Sequence, residues 1–263
     1  MVNNVWEKAM GTEERVTRDR LQKLIRKMRS AGHVEALVQF TEKVVSQLLA
    51  RGVRGIDCFL KKLEDRLGCQ EEFIDILKEG RLGIILARNN FSQIHIEYAK
   101  KGPDLKAVWN RNELYFAVTR RRPREDDRMI QEKAAFVGQD RPDNIIGKIQ
   151  DEIEQLQIGE VNIIVLWSDT INLDLDTVQK AFKYIKQEII SAPRKYQDLS
   201  AVLFTEVGGV RFFLFKNDKA SKPVRTPLAR KLQSLSEKTP QEMQKQYEEM
   251  LASLRKAATK KNL

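Results

Sequence analysis

The stretch Val161–Trp167, VNIIVLW, constrains the fold more than any other part of this chain. A nearly continuous, largely β-branched run of this kind predicts a central strand buried on both faces, which requires helices above and below it. The flanking segments supply those layers. Asn144–Gln157 carries Ile145, Ile146, Ile149, Ile153 and Leu156 at helical spacing, and Leu173–Ile190 reads as a second helix. Beyond it, DLSAVLFTEVGGVRFFLFKN reads as two strands around a Gly208-Gly209 turn.

Upstream, Glu71–Arg88 reads as a helix with Phe73, Ile76, Leu77, Ile84 and Ile85 apolar, and Ser92–Tyr98 as a strand. A hairpin follows, Asp104–Trp109 and Glu113–Arg120, turning through Asn110-Arg111-Asn112. Its second strand has one apolar face, Leu114, Phe116 and Val118, and a mixed one, Glu113, Tyr115, Ala117 and Thr119. A two-residue turn at Arg111-Asn112 would pair Asn110 with Glu113, Lys106 with Ala117 and Asp104 with Thr119. The order is helix, three strands, helix, strand, helix, two strands. It predicts an α/β sandwich around a mixed sheet, with neither a Rossmann glycine turn nor a P-loop.

Three regions are expected: an N-terminal helical region (1–70), this α/β core (71–217), and a basic linker with a C-terminal amphipathic helix (218–263). Thr12 to Leu67 is helical by pattern, with Arg15, Arg18, Arg20, Lys23, Arg26, Lys27 and Arg29 interleaved among apolar positions. That run suits a solvated face or a surface meeting phosphates or an acidic partner. At the other end, Thr239-Pro240-Gln241-Glu242 is a helix start, and Met243, Tyr247, Met250, Leu251 and Leu254 form a narrow stripe. The stripe suits packing on the main body, a protein partner or self-association, and the N-terminal helices leave the last two open as well.

Charge and composition narrow the chemistry. Lys and Arg outnumber Asp and Glu by 47 to 37, a net +10 that favours a polyanionic partner through counterion release. Two cysteines and two histidines exclude a zinc site or a Ser-His-Asp triad, leaving carboxylates, lysines, arginines and hydroxyls. With neither a signal peptide nor a bilayer-length apolar run, the expectation is a cytoplasmic protein without a membrane partner.

Pro103-Asp104 opens the second strand, Glu79 lies on the preceding helix, and Ala117-Val118-Thr119 occupies the third strand. On the later helix Lys148, Glu152 and Gln155 share one face. On these residues the segment Glu71–Lys216 resembles the PD-(D/E)xK nuclease superfamily, whose fold is restriction-endonuclease-like. The resemblance implies an endonuclease or exonuclease dependent on Mg²⁺ (or Mn²⁺), acting on DNA in preference to RNA, in a setting such as antiviral defence. It implies Asp104 as a metal ligand, Glu79 as a ligand directly or through water, and Lys148 and Gln155 at water or phosphate. Arg120, Arg121 and Arg122, with Arg124 behind them, suit either a solvated exit loop or, beside a metal site, a grip on the flanking phosphates. Hard oxygen donors of this type suit Mg²⁺, which activates water and offsets charge in phosphodiester hydrolysis.

The chain departs from the family pattern where the pattern is most specific. Ala117 stands in place of the strand acid and Thr119 in place of the lysine, so the chain as written is expected to be inactive or crippled, with Lys106 or Lys148 standing in for the ammonium. Three readings of Ala117 stand side by side. It is an ordinary small residue in a protein that was never a nuclease, the mark of a decayed nuclease kept as a binder, or a replacement for an acid. On the last reading, Ala117→Glu restores metal-dependent cleavage. Two alternatives to a nuclease accompany these: a noncatalytic nucleic-acid-binding subunit of the same fold, and a scaffold protein that binds partners through its terminal helices.

Overall fold

The computed structural model describes residues 3–97, 102–121, 142–168, 175–205 and 211–236. Four helices come first: α1 (Asn3–Ser30), α2 (Glu35–Ala50), α3 (Ile56–Asp65) and α4 (Gln70–Arg88). Strands β1 (Ser92–Ile96), β2 (Leu105–Trp109) and β3 (Asn112–Arg121) follow, then α5 (Pro142–Ile153), β4 (Val161–Ser168) and α6 (Leu175–Ser191). Strands β5 (Leu199–Thr205) and β6 (Phe212–Lys216) and helix α7 (Thr226–Gln233) complete the described elements. Arg122, Arg124, the Gly208-Gly209 turn and the Met243–Leu254 stripe lie outside the described residues.

The strands form one six-stranded mixed sheet in chain order, β1 to β6. β1, β2 and β3 pair antiparallel, β3, β4 and β5 parallel, and β6 returns antiparallel. The apolar run at 161–167 is the central strand it predicted, with Asn162 to Ser168 all buried. Alternation sends Ile163, Val165 and Trp167 into one core layer and Ile164 and Leu166 into the other. The first layer is covered by α1 to α4 and α7, the second by α5 and α6. Leu24, Met28, Val45 and Phe59 share their apolar cluster with Phe116 and Val165, so the N-terminal helices and the sheet have a common core. No helix among the described residues is long and apolar enough to cross a membrane.

The hairpin register differs from the sequence expectation. Lys106 faces Tyr115 rather than Ala117, and Trp109 faces Asn112. The turn pair is therefore Asn110-Arg111, both left-handed at φ 47° and 64°, the conformation whose twist matches antiparallel strands. The Asn112 side-chain amide donates to the carbonyls of Trp109 and Asn110 and holds this turn. A displacement of two residues keeps every side chain on its face, so the alternation of β3 survives the correction.

Two glycines set where α3 lies. Arg54 exchanges backbone hydrogen bonds with Ile94 and Ile96, adding one bridge to the edge of β1. Gly55 follows at φ 81°, where an added Cβ would sit 1.9 Å from the Ile96 carbonyl oxygen, so the chain leaves the sheet edge into α3 only with glycine here. Gly80 on α4 lets the helices approach closely, since a Cβ there would come within 2.8 Å of both Phe59 and Val44. Together these contacts bring α3 and α4 together beside the start of β2.

Candidate functional site

Helix α3 buries Ile56, Phe59, Leu60 and Leu63. The turn between those positions carries Lys62 toward α4, where Glu79 is buried, only 5% exposed. The Lys62 ammonium donates to both carboxylate oxygens of Glu79 at 3.0 Å and to Glu97 Oε1 at 2.8 Å. Asp104 Oδ1 lies 3.5 Å from the same nitrogen. One cation thus stands at the common focus of three carboxylates from α4, the end of β1 and the approach to β2.

The backbone around the centre is shaped to the same end. Glu97 takes the left-handed conformation at φ 54°, uncommon outside glycine, and turns the chain out of β1 so that its carboxylate meets Lys62. Its N–H donates to the Asp104 carbonyl at 2.7 Å. Asp104 Oδ2 in turn accepts from the Val118 N–H at 2.7 Å, beyond the last β2–β3 pair, Leu105 with Phe116. From the opposite face α5 contributes Glu152, whose carboxyl feels the Thr119 hydroxyl and the charge of Asp104.

Burial and charge pull these groups in different directions. Burial opposes the charge on Lys62, but Glu79, Asp104 and Glu97 outweigh it and hold its pKa above that of an ordinary lysine. Burial raises the Glu79 carboxyl well above the usual range, and the Asp104 charge adds to this while Lys62 opposes it. Asp104 is raised by burial against the pull of Lys62 and the Val118 N–H. Glu152 is pushed up to about 7 by burial and then by Asp104, with Thr119 and Lys148 opposing. The lysine keeps its proton, while burial disfavours the charged forms of Glu79 and Asp104.

The residues expected from sequence fare unequally. Asp104 and Glu79 meet at this centre, and Thr119 bears only on the neighbouring Glu152. Ala117 does not: its methyl is fully buried in the apolar layer with Ile145, Ile149 and Ile164, where α5 covers the sheet. Lys106 is turned to Glu113 at 2.8 Å and lies over the Tyr115 ring, a consequence of the corrected register. Lys148 lies 3.8 Å from Asp151 and approaches the centre only as a neighbour of Glu152. Gln155 is exposed in the turn after α5 rather than on its inner face. The backbones of Arg120 and Arg121 continue β3, paired with Trp167 and Ser168.

Sequence reasoning placed neither Lys62 nor Glu97 here, and read Glu152 only as a helix-face neighbour of Lys148 and Gln155. A lysine between apolar positions of an amphipathic helix carries no local sign that its head joins an ion cluster. Glu97, one residue beyond the apolar Ile94 and Ile96, reads as the solvated end of a strand.

The donor set tests the Mg²⁺ expectation. Three carboxylates are the right ligand type, but their common focus is filled by a covalently attached ammonium. No group of three or more His, Cys, Asp or Glu side chains among the described residues is arranged to hold a metal ion. As folded, the Lys62 ammonium occupies the position at which these carboxylates converge. The chain matches no protein-family model, no curated protein and no solved structure.

Proposed function

We propose that the chain is a nucleic-acid-binding protein of restriction-endonuclease-like fold that holds the phosphate backbone and, as it stands, does not cut it. The observation that carries this reading is the Lys62 ammonium at the focus of Glu79, Glu97 and Asp104, where a nuclease of this type needs its metal. The order of helices and strands and the placement of Pro103-Asp104 support the fold assignment. The buried methyl of Ala117 supports the noncatalytic half of the proposal.

Binding would be electrostatic. The net charge is +10, and α1 presents Arg15, Lys23, Arg26 and Arg29 at exposed positions. Guanidinium and ammonium groups of this kind bind phosphate oxygens by charge-assisted hydrogen bonds and fix register without reading bases. DNA stands ahead of RNA on the family resemblance alone.

Fluorescence anisotropy of the full chain with labelled duplex DNA, single-stranded DNA and RNA across a salt series tests this. Affinity is expected to fall steeply with salt for every sequence alike. Arg15→Ala, Lys23→Ala and Arg26→Ala together should lower the log–log slope by about 2–3, near the ~0.9 expected per lost phosphate contact. Incubation of the same substrates with Mg²⁺ or Mn²⁺ is expected to leave them intact. Absence of binding at low salt, or metal-dependent cleavage, would overturn the proposal.

A further inference from the structure

We infer that Lys62 is the centre's resident cation: its ammonium does permanently, by covalent attachment, what a divalent metal would do there, and locks α3 and α4 to the open end of the β1–β3 sheet. The inference extends the noncatalytic reading but does not depend on nucleic-acid binding.

The geometry is that of a saturated site. A lysine ammonium has three N–H donors and no acceptor. Here they have three oxygens at hydrogen-bond distance, both of Glu79 at 3.0 Å and Glu97 Oε1 at 2.8 Å, with Asp104 Oδ1 beside them at 3.5 Å. A Mg²⁺ ion demands oxygens at about 2.0–2.1 Å in near-octahedral order and tolerates no cation inside its ligand sphere. Metal and ammonium therefore compete for one position, and the ammonium has the advantage of being tethered, since its effective concentration is set by the fold.

The tether itself is specified by packing. Gly55 starts α3 against the Ile96 carbonyl, and Gly80 lets α4 close on Phe59. Lys62 is one turn along from Phe59 and one residue before Leu63, both fully buried. The stem is held by its helix while the head joins four segments: α3, α4, the end of β1 and the approach to β2. No one of those segments needs Lys62 for its own secondary structure, so the ion cluster reports only on how they are assembled.

The test uses purified full-length chain without nucleic acid, so its outcome is separate from that of the binding assay. Free Mn²⁺ is followed by electron paramagnetic resonance during titration, and thermal unfolding is followed with and without Mn²⁺. The chain as written is expected to have no Asp104-dependent Mn²⁺ site tighter than about 1 mM, the weak end for carboxylate sites. Lys62→Met should lower the melting temperature, gain at least about tenfold in Mn²⁺ affinity, and be partly restored by the metal through ligand linkage. Adding Asp104→Asn should abolish the gain. Lys62→Arg keeps the charge and should gain no Mn²⁺ site.

An Asp104-dependent equivalent of Mn²⁺ bound by the unsubstituted chain would overturn the inference, because Lys62 would then yield to metal. So would a Lys62→Met chain of unchanged melting temperature that gains no site. Should Lys62→Met fail to fold, the unsubstituted chain and Lys62→Arg decide: no Mn²⁺ site in either supports the resident cation, and a site in either overturns it.

Discussion

The Asp104 carboxylate accepts a hydrogen bond from the Val118 backbone N–H at 2.7 Å, where β3 runs on beyond the end of β2. The donor would otherwise be an unpaired ladder group beside the ionic centre, so one side chain both continues the sheet edge and faces Lys62.

Removing that acceptor has a defined cost. Asp104→Ala should destabilise the chain by about 1–3 kcal/mol, the penalty for leaving a part-buried donor unsatisfied. Asp104→Asn keeps a carbonyl acceptor and should lose less. Urea denaturation of both variants at neutral pH checks this, and equal losses would assign the effect to the missing charge instead of the N–H bond.

The restoration of cleavage expected of Ala117→Glu meets an obstacle in the packing. The new carboxylate would enter the layer of Ile145, Ile149 and Ile164. Overfilling this layer and burying an unpaired charge should together cost about 3 kcal/mol or more. A lower melting temperature without Mg²⁺-dependent cleavage is the expected outcome. A variant that folds normally and cuts DNA would restore the acid-x-Lys reading of β3.

Glu152 makes stability depend on pH with a definite sign. Its carboxyl is pushed from an ordinary 4.5 up to about 7, so between those values the folded chain holds a proton that the unfolded chain has released. Stability is therefore greatest below the lower value and falls as pH rises through the window. The groups bearing on it are Asp104, Thr119, Lys148 and Asp151, and the raised carboxyls of Asp104 and Glu79 act in the same direction. Glu152→Gln should gain stability relative to the unsubstituted chain from pH 5 to pH 8, on the order of 1–3 kcal/mol by the upper end. Chemical denaturation across that range measures it, and a constant difference would detach Glu152 from the effect.

The sequence by itself determined the layers. Periods of two and 3.6 are local properties, so the buried run at 161–167, the alternation of Leu114, Phe116 and Val118, and the apolar stripe of α5 could be read before any contact was known. The resemblance to the nuclease family set Asp104 beside Glu79, and both lie next to Lys62. The tertiary structure alone decided what stands between them. The hairpin register turned on which two residues became left-handed, and that choice, Asn110 with Arg111, moved Lys106 opposite Tyr115. Lys62 came to the centre because Gly55 and Gly80 set α3 against the sheet edge and α4, a matter of close approach between elements far apart in the chain. Periodicity tells which side of a helix is buried, but the partner of a charge on its margin depends on how whole elements pack.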